Sequence, residues 1–278
     1  MSSSQHQPQS NNTTTSSHQP KRRNAHPWLK RILAIIAIIV WTVGCILLVQ
    51  LLLALLFRFL IDTFHLPAAL SQTIYTFLTY LISCFLIIFL PPIIFKKTKS
   101  SRAELGLLGW PTWTDIGLAP IGFIAYVVIA AIVSGIFTIF PWFNATEAQD
   151  LGYSQMLFGT ERMLAFFSLI VIVPIAEELI FRGFLYGKLK KILKSSTKQK
   201  SHSKKHSDWP IIIIASLITS LAFAIMHGQW NVGVNVFVMS LVLCFMREIT
   251  GTIYAGIILH MIKNAVAFVF VFIINNGF

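Results

Sequence analysis

The sequence predicts an all-α fold: a polytopic transmembrane helical bundle of about seven spans. Of its 278 residues, 55% are hydrophobic and only 12% are charged, and the mean hydropathy is +0.73. A soluble domain carries roughly twice that charged fraction. The apolar residues also fall into runs of about 18 or more with few charges, which is the pattern of membrane helices. We therefore expect the lipid bilayer to be the main solvent of this chain.

The chain divides by composition into a tail and two sets of helices. Residues 1–27 are polar and low in complexity, so they lack the apolar surface for a core and are predicted to be disordered. A cleaved signal peptide is not expected, because no small-residue cleavage site follows a short apolar region. Residues 28–162 form the N-terminal transmembrane helices. Residues 163–278 form a second transmembrane core, and we expect it to contain every polar group of interest at membrane depth.

Seven apolar runs are candidates for membrane spans. In chain order they are Ile32–Phe57, Leu70–Phe95, Ile116–Phe140, Met163–Gly187, Trp209–His227, Val232–Phe245 and Thr252–Ile274. The sixth run is the shortest of them. We expect it either to extend through "GQWNVG" or to lie partly against protein, because Asn231 and Asn235 near its start favour a protein-facing or water-lined position.

Three clusters of Lys and Arg indicate how the chain crosses the membrane. They lie at residues 21–31, 96–102 and 188–205, whereas the alternate segments 58–67 and 141–162 are poor in basic residues. Basic loops remain in the cytoplasm, so the N-terminus is predicted to be cytoplasmic and seven spans place the C-terminus outside. The net charge of +12 also fits nucleic-acid binding. Because each cluster abuts a span, topology is the better explanation, and no nucleic-acid partner is expected.

The stretch "VPIAEELIFRG", Val173–Gly183, places three charged residues in the fourth predicted span. Charges at membrane depth cost several kcal/mol each, so they are seldom accidental. Glu178 and Arg182 are four residues apart and share a helix face, which predicts an ion pair. Glu177 is rotated by about 100°, and we expect it to face a cavity where it can take a proton from water. Pro174 is expected to kink the helix.

His227 and His260 are the two histidines, of eight in the chain, at predicted membrane depth. His260 shares a helix face with Asn264, four residues on, while Lys263 is expected on a different face. An isolated intramembrane histidine often only bonds a neighbouring helix, and an isolated Glu–Arg pair is often structural. Here three polar clusters lie on three spans, and buried polar groups need partners, so we expect them to meet. Glu177, His260 and His227 are about 16, 20 and 25 Å from the cytoplasmic ends of their spans, which agrees only loosely.

These clusters resemble the motifs of the CPBP family of intramembrane proteases, which includes the type II CAAX prenyl proteases and bacterial Abi-type proteins. The segment "EELIFRG" fits the EExxxR motif, "FAIMH" fits FxxxH, and "HMIKN" fits HxxxN. The order and spacing agree as well, and the resemblance covers about residues 163–274.

The resemblance implies a role for each motif residue. Glu177 would activate a water molecule, and His227 would position that water or the glutamate. His260 and Asn264 would stabilise the oxyanion of the tetrahedral intermediate, while the glutamate–arginine pair would support the site. A developing oxyanion in a low-dielectric site does require preorganised hydrogen-bond donors.

The resemblance leaves metal dependence open, because the family is described both as a metalloprotease and as a metal-free glutamate protease. The sequence contains no HExxH motif. Glu177, His227 and His260 are the set that would form a His₂Glu zinc site with an open position. Glu177 would then be a ligand, and the base would have to be Glu178, which is already paired with arginine. We therefore expect water activation without an obligatory zinc ion.

The resemblance predicts an intramembrane endopeptidase that cleaves a peptide or membrane-protein substrate near the cytoplasmic leaflet. In bacterial relatives it implies roles in peptide maturation or export and in bacteriocin self-immunity. A non-catalytic immunity or scaffold protein is the first alternative, but no motif residue is lost. A proton-coupled transporter is the second, but the repeat symmetry and broken helices of transporters are not evident. The sequence identifies neither the substrate nor the oligomeric state, and prenyl recognition would rest on analogy alone.

Overall fold

The computed structural model describes residues 26–94, 99–144, 159–197 and 208–274, and every regular element within these ranges is helical. The prediction of an all-α bundle is therefore confirmed. Among the described residues, six helices are long and apolar enough to cross a membrane, and a seventh apolar helix is shorter. Nearly all of the predicted polar tail lies outside the described residues.

In chain order, the helices are α1 (Pro27–Phe64), α2 (Ala68–Ile94), α3 (Arg102–Leu105), α4 (Trp113–Phe137), α5 (Gly159–Lys194, continuing to Thr197), α6 (Trp209–Ile225), α7 (Trp230–Thr250) and α8 (Tyr254–Ile274). All except α3 correspond to predicted spans. The central helix is α5, since 56% of its most apolar window is buried, against 17% for α1 and for α4.

The short span is α6, which is the fifth span in chain order. The sequence suggests instead that the sixth span is the short one. The sixth span, α7, has 21 residues and begins at Trp230, within "GQWNVG", whereas α6 has 17 residues. Asn235 does not interrupt α7, because both ends of its side-chain amide have partners. Asn235 donates to the backbone oxygen of Asn231 at 2.9 Å and accepts from Ser134 of α4 at 3.1 Å.

α5 departs twice from regular α-helical geometry. A π-helical segment spans Phe167–Ile172, a second spans Leu179–Leu185, and the α-helical turn Val173–Glu178 lies between them. The first departure has a local cause: the ring of Pro174 clashes with the carbonyl four residues back in a regular helix, and the wider turn avoids that clash.

One end of the bundle carries the basic side chains of α5 and is called the basic end below. These side chains are Lys188, Lys190, Lys191 and Lys194, and they pair with Glu104, Glu248 and Asp208. The N-termini of α4, α6 and α8 and the C-termini of α2, α5 and α7 lie at this end.

Backbone of the α3 segment fits closely against α5 at the basic end. Cβ atoms placed on Gly183 and Gly187 would lie 3.0 Å from the carbonyl oxygen of Leu105 and 2.6 Å from that of Glu104. Only glycine at both positions allows this approach, as at the small-residue contacts of membrane helices. Arg247 of α7 secures the segment by donating to the backbone oxygen of Glu104 at 3.2 Å.

Candidate active site

The ion pair of α5 is fully buried beneath an aromatic ring of α6. Arg182 Nη1 donates to Glu178 Oε1 at 2.8 Å, and neither residue is exposed. The Arg182 guanidinium lies 4.3 Å from the centre of the Phe223 ring. Phe223 is the phenylalanine of the FxxxH motif, so this contact joins two motifs through a cation–π interaction. The pairing of Glu178 with Arg182 that the sequence predicts is therefore present.

His260 of α8 lies between the two glutamates. Its Nδ1 is 3.1 Å from Glu178 Oε1, and its Nε2 is 3.6 Å from Glu177 Oε2. A carboxylate accepts hydrogen bonds, so the first contact requires a proton on Nδ1 and fixes the orientation of the ring. Gly256, one turn earlier, allows the approach, because a Cβ atom there would lie 3.1 Å from Glu178 Oε2.

His227 follows the last turn of α6, and its tautomer is fixed by the backbone. Its Nδ1 lies 2.9 Å from the carbonyl oxygen of Phe223, which can only accept, so Nδ1 carries a proton. In the neutral ring, Nε2 is then a hydrogen-bond acceptor. The ring packs edge-on against Phe223, with 5.0 Å between centroids.

Asn264 is held by a carbonyl group that Pro174 leaves without a helical partner. In the first π-helical segment, Val173 N–H donates five residues back to Ser168. The next nitrogen, which would serve Leu169, belongs to Pro174 and has no hydrogen. Asn264 Nδ2 instead donates to the Leu169 oxygen at 2.8 Å. An amide NH₂ has two donors, so a second remains for another acceptor.

A cavity of about 300 Å³ connects these groups. Its lining includes Glu177, His227, His260 and Asn264, so the structure brings together the four residues proposed from the sequence as catalytic. Glu178 and Arg182 lie behind this lining. Glu177 is 7% exposed, and its carboxylate is among the polar groups of the cavity wall.

Two cavity residues differ from the sequence expectation. Tyr80 of α2 donates its hydroxyl hydrogen to Glu177 Oε1, although the N-terminal helices were expected to contribute no polar group of interest. Lys263 also lines the cavity, whereas the helical-face argument placed it elsewhere. The cavity covers a wider arc of α8 than one helical face, since Lys263, Asn264 and Ala267 all reach it.

The three motifs lie at one depth once the helix ends are known. Lys194 contacts Asp208 at 2.6 Å, so the helices α5 and α6 are level at these residues. Glu177 and His227 are then about 26 and 28 Å away along their helices. α8 begins where Ile253 N–H donates to Gly106 at 3.1 Å, beside Leu105 and hence at the level of Gly183. From that level Glu177 and His260 are about 9 and 10 Å away.

The cavity lies on the side of the glutamates away from the basic end. Tyr75, Thr76 and Tyr80 belong to the half of α2 that begins at the opposite end, and His227 follows the far end of α6. Asn264 and Phe268 are beyond His260 on α8, counted from the basic end. The expectation of a site near the leaflet that contains the basic loops therefore disagrees with the position of the cavity.

The side chains as arranged do not fit a zinc site. Within the described ranges, no group of three His, Cys, Asp or Glu side chains has a geometry that could hold a metal ion. Glu177 Oε1 accepts from Tyr80, and both ring nitrogens of His260 face carboxylates. A metal-bound His₂Glu set would need Glu177, His227 and His260 to converge on one point.

The segment that contains this site matches a known protein family. Residues 159–266 match the family model described as type II CAAX prenyl endopeptidase Rce1-like. No curated protein and no solved structure matches the chain. The matched segment contains both glutamates, Arg182, both histidines and Asn264, so every motif residue of the site lies in the part of the chain that is similar to the CPBP/CAAX proteases.

Proposed function

We propose that this protein is an intramembrane endopeptidase in which Glu177 activates a water molecule for attack on a peptide bond. The family match indicates a CAAX-type intramembrane protease in general. The observation that carries the specific mechanism is the Glu177 carboxylate in a cavity wall that also contains His227, His260 and Asn264. A base, a water-orienting acceptor and amide or imidazole donors are the groups that hydrolysis requires.

In the proposed reaction, Glu177 takes a proton from water as the water oxygen attacks the carbonyl carbon. The second N–H of Asn264 donates to the developing oxyanion, and His227 Nε2 accepts a hydrogen bond from the attacking water. When the tetrahedral intermediate collapses, the C–N bond breaks and Glu177 returns the proton to the leaving amine. Glu178 and Arg182 keep His260 oriented throughout.

We also propose that hydrolysis takes place in the extracytoplasmic half of the membrane. Basic loops remain cytoplasmic, so the basic end and the N-terminus are assigned to the cytoplasm. The cavity extends away from the basic end, and a peptide would therefore reach it from the opposite side. This access suits the maturation of an exported peptide or self-immunity to a bacteriocin better than processing of a cytoplasmic protein.

Thiol labelling of intact cells tests this orientation. A thiol reagent that cannot cross the membrane should label His65→Cys. This position lies in the turn between α1 and α2, at the end opposite the basic end. It should not label Ser10→Cys in the tail until the cells are opened. The unsubstituted chain is the control, because its cysteines lie at membrane depth. Labelling of the tail in intact cells would reverse the assignment.

The proposed activity is tested by comparing peptides from cells that express the wild type or Glu177→Gln at matched levels. Glu161→Gln is the matched control, since it makes the same change on α5, close to its N-terminus and outside the cavity. A peptide produced by the wild type and Glu161→Gln, and absent with Glu177→Gln, would identify a product and its cleavage site. Products that persist with Glu177→Gln would contradict the role of Glu177. Identical profiles, with no cleavage product in any strain, would favour a non-catalytic immunity or scaffold function.

A further inference from the structure

We propose that Tyr80 is a positioning residue for the hydrolysis: it holds one oxygen of Glu177 so that the other is presented to the cavity. This inference rests on the proposed role of Glu177 as the base. Tyr80 lies on α2, far outside the segment that matches the family model. The assignment therefore adds a residue from the N-terminal helices to a site that the motifs place wholly on α5, α6 and α8.

The two oxygens of Glu177 have different surroundings. Oε1 accepts the hydroxyl hydrogen of Tyr80, and Oε2 lies 3.6 Å from His260 Nε2. The other charged or titratable groups of the cavity wall are Tyr75, His227 and Lys263. Among the described residues, the hydroxyl of Tyr80 is the only side-chain donor within hydrogen-bond distance of this carboxylate.

A fixed donor matters because the last torsion of glutamate is soft. Rotation of a carboxylate about this bond has broad, roughly two-fold preferences, so the side chain alone does not determine which oxygen faces the water. The hydrogen bond from the Tyr80 hydroxyl to Oε1 does determine it. Without it, the carboxylate rotates among several orientations, and fewer molecules present a lone pair to the attacking water.

α2 is a rigid carrier for this hydroxyl. Thr79 and Ser83, one turn apart, are 2% and 0% exposed, so small side chains allow close packing. Cys84 Sγ lies 3.8 Å from the carbonyl oxygen of Ala176, the residue before Glu177. This contact sets the register of α2 against the glutamate turn of α5.

The first test separates turnover from substrate binding. Wild type, Tyr80→Phe and Tyr126→Phe are compared in proteoliposomes with an internally quenched peptide built on the cleavage site found in cells. Tyr126 on α4 is the matched control, because its hydroxyl makes no hydrogen bond to any described residue and lies outside the cavity. We expect kcat of Tyr80→Phe to fall roughly 10- to 100-fold, the range for a lost bond to a charged group. KM should change less than about twofold, because the hydroxyl makes no substrate contact.

Failure of this inference is distinguishable from failure of the proposed function. Wild-type kcat in Tyr80→Phe together with an inactive Glu177→Gln would overturn the role of Tyr80 alone. An active Glu177→Gln would remove the base itself. An equal loss of kcat in Tyr126→Phe, or a rise in KM that accounts for the loss in Tyr80→Phe, would show a general packing defect and also overturn the inference.

A spectroscopic test needs neither a substrate nor the Tyr80 variant. The ultraviolet resonance Raman doublet of tyrosine reports whether the hydroxyl is a strong donor. The wild-type minus Glu177→Gln difference spectrum should contain one tyrosine changing from a strong to a weaker donor. A flat difference spectrum in the doublet region would mean that no tyrosine bonds Glu177, and would refute the positioning role.

Discussion

Removal of Arg182 should destabilise the protein strongly, because the buried Glu178 carboxyl group would lose its ion-pair partner. The two side chains form a 2.8 Å ion pair and are 1% and 0% exposed. Breaking a buried pair by removing one partner costs about 3–5 kcal/mol. Arg182→Ala also removes the guanidinium from the Phe223 ring and leaves a void beside α6. Since 1 kcal/mol corresponds to roughly 2–4 °C in a protein of this size, we expect Tm to fall by about 10 °C.

The chain contains a matched control for this experiment. Arg58 and Asp62 of α1 have the same four-residue spacing, but they are 83% and 70% exposed and 3.9 Å apart. Surface substitutions usually change stability by less than about 0.5 kcal/mol, so Arg58→Ala should unfold with nearly the wild-type Tm. Thermal unfolding in detergent, followed by tryptophan fluorescence, compares the two variants directly. If Arg182→Ala and Arg58→Ala melted alike, the pair would not be buried as described.

A double variant separates charge from packing. Glu178→Gln with Arg182→Met removes both charges while keeping an acceptor for His260 and a long side chain beneath Phe223. Replacement of a buried ion pair by neutral groups is often close to neutral, so most of the lost Tm should return. A double variant as unstable as Arg182→Ala would mean that lost packing, and not an unpaired carboxylate, causes the effect.

Three further predictions concern other parts of the molecule. Gly256→Ala should lower both Tm and cleavage, because the added Cβ would press on Glu178 Oε2, whereas Gly135→Ala, which meets nothing within 4 Å, should leave both unchanged. Partial burial raises the pKa of Glu104, but the hydrogen bond and charges of the neighbouring lysines outweigh it and lower the pKa below 4.5 overall. The Tm difference between wild type and Glu104→Gln should therefore be full above about pH 4.5 and disappear as the pH falls further. Treatment of purified protein with a zinc chelator should leave the cleavage rate unchanged, and loss of activity restored by zinc would contradict the metal-free mechanism.

Local contacts of the site were predictable from the sequence. Glu178 and Arg182 pair because both lie on one helix four residues apart, and such pairs follow from helical geometry alone. Their contact persists although the chain changes from an α-helical to a π-helical turn between them. The number and order of the apolar helices were predictable for a similar reason, because run length and hydropathy report directly on spans.

Contacts between distant parts of the chain were not predictable. Tyr80 and Glu177 are 97 residues apart, and an isolated tyrosine in an apolar run carries no signal of its partner. The depth of His227 was uncertain because it depends on where α5 and α6 meet. The contact of Lys194 with Asp208 sets that level, and only the folded chain reveals it. The depth of His260 likewise depends on the level at which α8 begins. The hydrogen bond from Ile253 to Gly106 sets that level.

The two π-helical segments of α5 lie where other parts of the chain reach its backbone. In the first, Pro174 withholds a hydrogen from Leu169, and Asn264 takes the free carbonyl oxygen. In the second, Gly183 admits the backbone of Leu105. The glutamates occupy the single α-helical stretch between these contacts.

If this arrangement orients them, Pro174→Ala should restore the backbone bond to Leu169 and release Asn264. Cleavage should then fall while Tm holds or rises, because the substitution adds a helical hydrogen bond but removes an anchor of the oxyanion donor. A variant that cleaves at the wild-type rate would show that Asn264 is positioned by other means.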